Sequence, residues 1–207
     1  MAVTAIVLGV VLADDPGELP DVRVVQPGAP GEAGRTLSPD ELASITPPPY
    51  NVADVAFFER MIPHHAQALE MTALVPSRTS NQDIVLLARR IEISQRDEIG
   101  LMQAWLTNRG LAVPAPHASH PAHDELMPGM LNDEQLAQLS RARGAEFDRL
   151  FLELMIYHHE GALAMANELY ANGGGLEPES DRFARDVIAD QSIEISRMKD
   201  LLAAMAS

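Results

Sequence analysis

From residue 52 onward, apolar positions fall at alternating spacings of four and three, the period of one face of an α-helix. The first such stripe is Phe57, Met61, His64, Ala68, Met71 and Val75. It predicts a helix from about Val52 to Val75 that closes before Pro76. A second stripe, Ala88, Ile91, Gln95, Glu98, Met102 and Trp105, belongs to a helix that begins near Ser80, whose spacing to Asp83 suits a cap, and ends at Asn108-Arg109-Gly110. The third comprises Phe147, Phe151, Met155, His158, Ala162, Met165 and Leu169, on a helix from just after Asn132 to Asn172, with Gly144 as an interruption point. The fourth, Ala184, Val187, Gln191, Glu194, Met198 and Leu201, starts its helix around Pro178 and runs to the C-terminus. Between the second and third helices, residues 111–131 carry Pro114, Pro116, Pro121 and Pro128, which exclude a continuous helix and predict a crossover loop.

The stripes repeat. Phe57 to Met71 and Phe151 to Met165, 94 positions apart, share nine identities in fifteen, including Met-Ile-x-His-His and Ala-Leu-x-Met. Ala88 to Leu106 aligns with Ala184 to Leu202 at an offset of 96, so the two extra residues lie in an interhelical connection, where insertions are tolerated. Two helical hairpins, 51–110 and 132–207, that bury their stripes against each other give the expected architecture. It is all-α, a four-helix bundle built from duplicated hairpins. Pro63, which has Tyr157 as its counterpart, is expected to kink the first helix just before His64 and to spoil exact symmetry.

The N-terminal part follows a different rule. Residues 2–13 are apolar and uncharged, too short for the ~20 residues of a bilayer span. They resemble the trailing end of a signal or membrane anchor; an apolar segment packed on the body is the other reading. Residues 14–50 are rich in Pro, Gly and acids and read as a linker, with one short helix near 39–45 announced by Ser38-Pro39-Asp40-Glu41.

Composition sharpens this picture. Aromatics are 4% of the chain and methionines number ten, which suits helix-on-helix packing. A formal net charge of −15 argues against nucleic acid and anionic membrane surfaces as partners. With no cysteine, disulfides and thiolate metal sites are excluded, and any metal must be held by His, Met, Asp or Glu.

Candidate chemistry lies where polar residues break the apolar stripes. His64 and His158 are centred on them, with His65 and His159 on the flanking rows. Gln95, Glu98, Gln191 and Glu194 interrupt the partner helices, and buried polar groups require partners, so the His-His motifs are expected to meet the Gln/Glu sets across the bundle. Imidazole suits copper, zinc, nickel and iron, and thioether adds preference for Cu(I). His64, His65, His158 and His159, flanked by Met61, Met71, Met155 and Met165, point first to copper, with zinc or another transition metal as the alternative. Glu98, Glu194, Gln95, Gln191, Met102 and Met198 would support the ligands. Methionines at helical spacing also serve simply as core, and a His-Glu-Gln network can specify a core without metal. A di-iron carboxylate site is disfavoured, because Ile62 and Ile156 stand three residues after Glu59 and Glu153 where Glu-x-x-His would need histidine. No phosphate-binding loop, zincin motif or nucleophile elbow is present. In the crossover, His117, His120 and His123 recur every third residue, as polar loop residues or a weak exposed metal site.

The repeated Met-Ile-x-His-His-x-x-Ala-Leu-x-Met, the Gln-x-x-Glu-Ile-x-x-Met helices, Met127-Pro-Gly-Met130 and Phe147-Asp-Arg-Leu-Phe151 together resemble the domain of unknown function 305 family over about residues 50–204. The resemblance implies a ferritin-like four-helix bundle, an extracytoplasmic setting with an N-terminal signal or anchor, and relatives that include periplasmic copper-binding proteins. Carried onto this chain, it implicates His64, His65, Met71, His158, His159 and Met165, with Met61 and Met155 beside them.

The leading expectation is an extracytoplasmic copper-binding protein that sequesters or transfers the metal. A metal-dependent oxidoreductase using the same residues and a metal-free interaction module of the cell envelope are its rivals. Catalysis would need an open coordination position, which no sequence pattern reveals.

Overall fold

The computed structural model describes residues 7–9, 23–29, 31–43, 46–115 and 126–205. The chain is mostly helical and divides into two compact units, residues 1–47 and 48–207. The first unit departs from the all-helical expectation. It holds a three-stranded antiparallel sheet of β1 (Val7–Gly9), β2 (Arg23–Gln26) and β3 (Arg35–Thr36), in that order, followed by α1 (Pro39–Ala43). Val7 pairs with Val25, Gly9 with Arg23, and Gln26 with Arg35. The predicted cap of α1 forms. The Ser38 N–H donates to Glu41 Oε2 at 2.9 Å and the Glu41 N–H to Ser38 Oγ at 3.2 Å. A stretch read as linker thus contains strands, because the β-branched pair Val24-Val25 has antiparallel partners on both sides that no local composition signals.

The second unit consists of α2 (Val52–Leu74), continued by a 3₁₀ turn over Val75–Ser77, then α3 (Gln82–Asn108), α4 (Asp133–Arg141), α5 (Gly144–Ala171) and α6 (Pro178–Met205). The helices pack in pairs: α2 on α3, α5 on α6, and α2 on α5. Every inward position predicted on α2 and α5, from Phe57 to Val75 and from Phe147 to Leu169, is buried. On the partner helices only Glu194 and Leu201 stay half-buried. Helix α2 continues through the buried Pro63.

Two boundaries differ from the sequence reading. Asn81, not Ser80, caps α3, its side chain accepting from the Asp83 N–H at 3.1 Å. The third predicted helix is two helices. Ala142 and Arg143 are extended, Gly144 adopts φ +57°, and the Gly144 N–H donates to the Arg78 carbonyl at 2.8 Å.

The termini of the long helices are fastened by buried polar contacts. Asn51 and Asp54 form a reciprocal capping box at the start of α2. The fully buried Asp54 also accepts from the Gly175 N–H and the Ser180 hydroxyl, each at 2.7 Å, and Asn51 Nδ2 donates to the Gly173 carbonyl at 2.8 Å. The turn between α5 and α6 is thereby tied to the start of α2. Nearby, the Arg109 guanidinium lies 4.2 Å from the Trp105 ring and 5.6 Å from Tyr50, and bonds Glu177 and Glu179 at 2.7 and 2.8 Å. Among the described residues, no helix is long and apolar enough to cross a membrane.

Replacing Asp54 by Ala removes the acceptor of the Gly175 and Asn51 N–H groups and leaves the Ser180 hydroxyl only its 3.2 Å contact with the Glu177 carbonyl. The expected loss is about 3 kcal/mol of unfolding free energy, read from urea denaturation, with helical content retained at low temperature. A loss below about 0.5 kcal/mol would show that the tie is not structural.

Candidate metal centre

Consecutive residues on an α-helix point about 100° apart. His64 on α2 and His158 on α5 therefore occupy the contact between those two helices, while His65 and His159 turn toward α3 and α6. All four imidazoles are buried, none more than 1% exposed. The His64 and His158 rings face each other with centroids 3.9 Å apart and planes inclined by 35°. His65 Nε2 meets Glu98 Oε2 at 2.5 Å, and His159 Nε2 meets Glu194 Oε2 at 2.7 Å. The pairing runs within each hairpin, which corrects the expectation of His-to-Glu contacts across the bundle. The helices that follow the histidines in sequence lie closest to them.

His64 Nε2 approaches the Pro128 carbonyl and His158 Nε2 the His64 carbonyl, each at 3.0 Å. A carbonyl oxygen only accepts, so both rings carry their proton on Nε2. The two contacts differ, which removes exact two-fold symmetry here; the difference comes from the turn at Pro128 rather than from Pro63. On every one of the four rings Nδ1 is buried and has no hydrogen-bond partner. Burial, with the neighbouring His65 as the next cause, lowers the pKa of His64 to about 3. Burial and then His64 hold His158 well below the usual histidine range. Both are neutral near pH 7, each with an unprotonated Nδ1 lone pair.

Burial alone would raise the pKa of Glu98, but the hydrogen bond from His65, together with that from Ser94 Oγ at 3.1 Å, brings it below the ordinary carboxylate value. Gln95 and Gln191, expected to receive the histidines, do not. Both are buried, with both side-chain polar atoms of Gln95 and Oε1 of Gln191 unpartnered. The glutamates three residues onward, about 4.5 Å further along each helix, have taken the Nε2 atoms instead.

Six candidate methionines are buried, but they divide between two apolar clusters. Met61, Met102 and Met165 share one with Phe57, Phe58 and Trp105. Met71, Met155 and Met198 share the other with Phe147, Phe151 and Ile91. Each cluster draws sulfur from both hairpins, so Met61 groups with Met165 rather than with Met71 of its own helix. The histidines lie between Met61 and Met71 along α2, and between Met155 and Met165 along α5. Among the described residues, no three His, Asp or Glu side chains converge as a ready-made metal cluster. The donor types nonetheless fit a soft or borderline transition ion: unpartnered imidazole nitrogens, with Nε2–H groups anchored on carboxylate or carbonyl.

Sequence reasoning overlooked the turn that closes over this layer. Gln67, one turn beyond His64, accepts from the Leu131 N–H at 2.7 Å and donates to the Leu131 carbonyl at 2.9 Å. Gly129, at φ +76°, packs so closely on Gly161 that a Cβ on Gly161 would lie 2.4 Å from the Gly129 Cα. The clue was in the repeat, for Gln67 and Gly161 are equivalent positions with unlike residues. His117, His120 and His123 lie outside the described residues.

The family described as "Domain of unknown function (DUF305)" matches residues 54–202. A DUF305 fragment from Deinococcus radiodurans has the same fold at TM-score 0.67 and 34% identity, over 76% of this chain and 99% of that one. A DUF305 protein of Streptomyces coelicolor, designated secreted, gives 0.66 and 32%, over 75% and 93%. CopM in its Cu(II)-bound form gives 0.61 and 33%, over 73% and 96%; its structures also include Cu(I)- and silver-bound forms. A 60-residue stretch is 38% identical to uncharacterized protein L153 of Acanthamoeba polyphaga mimivirus, spanning 40% of that relative's length. With the match extending from the first turn of α2 to the last turns of α6, and with relatives above 30% identity covered almost end to end, the chain belongs to the DUF305 family.

Proposed function

We propose that this protein binds copper in the cell envelope, as a buffer or as a carrier that passes the ion on. The observation that carries the reading is the set of four buried Nδ1 atoms without partners, on rings whose Nε2–H groups are already engaged. An unpaired buried acceptor costs about 1–3 kcal/mol, and an ion that takes up its lone pair removes that cost. His64, His65, His158 and His159 would supply nitrogen. Met61, Met71, Met155 and Met165 would supply soft sulfur, which favours Cu(I) over zinc. Glu98 and Glu194 would hold the rings in orientation and make them more basic. Gln95, Gln191, Met102 and Met198 would line the same interior. The bound ion is cargo in this reading, so no open coordination position for a substrate is required.

The likeness to CopM supports the choice of metal. The finer architecture we propose is a ferritin-like four-helix bundle of α2, α3, α5 and α6 that arose by duplication of a hairpin, with residues 51–207 as the working domain. The apolar run at residues 2–13 and the secreted designation of the Streptomyces relative support a place outside the cytoplasm, reached by secretion or anchored through the N-terminus.

Changing His64 and His158 together to Gln tests the reading with little loss of structure, since Gln Nε2 can still donate to the two carbonyls while the Nδ1 lone pair disappears. Competitive Cu(I) titration is expected to show at least a hundredfold weaker binding. Unchanged copper affinity and stoichiometry in a folded double variant would sink the proposal. The pair Glu98→Gln and Glu194→Gln should weaken Cu(I) by about 10–100-fold, because the rings lose their carboxylate anchors but keep their nitrogens. Equal affinity in the same titration would remove the glutamates from the site.

The depressed pKa values set a pH dependence for the metal-free protein. Unfolded histidine takes up a proton as pH falls through ~6.5, whereas folded His64 does so only near 3 and His158 also resists. The unfolded state therefore binds more protons below pH 6.5, and acid favours unfolding. Each of these two residues should remove about 1.4 kcal/mol per pH unit across that window, measured by urea denaturation from pH 7 to 4. The His64→Gln variant should show a shallower fall; an identical slope would contradict the assigned burial of a neutral ring.

A further inference from the structure

The six methionines of the interior are shut away, each no more than 2% exposed, so a soft ion has to be met by something nearer the solvent. Met127 and Met130 are half-buried, unlike those six. They stand at the two ends of a four-residue turn, closed by the Met130 N–H donating to the Met127 carbonyl at 3.0 Å with Gly129 at its positive φ. Such a turn brings its end Cα atoms within about 7 Å, close enough for two thioethers to share one ion.

The turn is fixed directly over the histidine layer. Its Pro128 carbonyl accepts the His64 Nε2 proton, Gln67 clamps the amide of Leu131 on both sides, and Gly129 rests on Gly161 three residues after His158. Met127 packs against the apolar cluster that contains Met61 and Met165. The conformation of the turn accounts for glycine at 129, but nothing in it calls for sulfur at 127 and 130, where leucine would fill the same space. Thioethers are neutral at all pH values and need lose no proton to bind, and the acidic chain raises the local concentration of cations.

We propose that Met127 and Met130 form a solvent-accessible capture site for a soft monovalent ion, Cu(I) or Ag(I), set beside the buried histidines and feeding them. The feeding role rests on the copper-binding function proposed above; the capture site itself does not.

Two measurements on the full chain separate these claims. The first exposes the protein to dilute hydrogen peroxide with and without a severalfold excess of silver nitrate, enough to fill the interior as well, and follows sulfoxide formation at each methionine by peptide mass spectrometry. Silver should slow oxidation of Met127 and Met130 about tenfold while leaving Met205, exposed on the last turn of α6, unchanged. The same protection should persist in the His64→Gln, His158→Gln double variant, which lacks the buried nitrogens. Oxidation at equal rates with and without silver overturns the capture site. The second measurement uses Met127→Leu with Met130→Leu, whose volume and packing are conserved. Stopped-flow uptake of Cu(I) from a competing chelator should be about tenfold slower at unchanged final stoichiometry. Uptake at the wild-type rate overturns the feeding role, and histidine variants that bind copper normally overturn the proposed function while silver protection still decides the capture site.

Discussion

Four imidazoles occupy the seam where packed helices ordinarily place leucine, and each must keep its Nε2 proton hydrogen-bonded there. A buried donor left without a partner costs about 1–3 kcal/mol, enough across four rings to erase much of the stability of a domain this size. The surrounding structure meets that demand ring by ring. Glu98 and Glu194 are drawn inward on α3 and α6 although carboxylates are rarely buried. Helices α2 and α5 approach closely enough for His158 to use a backbone carbonyl of α2, and the Met127–Met130 turn descends onto His64. The four Nε2 donors are thus satisfied while the opposite ring nitrogens are left free.

Such an arrangement tolerates little axial sliding, since a shift of one residue moves a side chain by 1.5 Å along the helix and 100° around it. The contacts at the ends of the long helices supply that control. Asp54 links the first turn of α2 to Gly175 and to Ser180 on α6, and Arg109, lying against the Trp105 and Tyr50 rings, joins the end of α3 to Glu177 and Glu179. At the opposite end Asn81 Nδ2 donates to the buried Asp148 at 3.1 Å, and Arg78 donates to the Ser140 carbonyl at 2.8 Å. Charged groups far from the histidines therefore fix the height at which His64 meets His158.

Much of this was legible in the chain. Helical period placed every inward residue of α2 and α5, and the repeat announced two equivalent hairpins. The failures share a cause. Periodicity reports which side of a helix faces inward but not which neighbour it faces, so the pairing of His65 with Glu98 within a hairpin and the division of the methionines between two clusters required the packed helices. Gln95 and Gln191 looked like the natural partners because they share a stripe with the glutamates, yet one helical turn decides between a satisfied and an orphaned group. The strands at residues 7–9, 23–26 and 35–36 were hidden for a different reason. Their pairing is between segments separated by prolines and glycines, where local composition speaks only of turns.

The places where the repeat fails carry as much meaning as those where it holds. Gln67 and Gly161 are equivalent in the two copies, and both serve the same turn, one by clamping Leu131 and the other by leaving room for Gly129. A hairpin and its exact copy would offer two such turns or none. With unlike residues at these aligned positions, the chain brings one cap to one side of the four histidines, and gives His64 a loop carbonyl where His158 has a helical one. The Pro128 contact can be released by moving a turn, whereas the contact of His158 cannot be released without parting α2 from α5. If an ion reaches the interior, His64 is the ring whose surroundings yield at least cost.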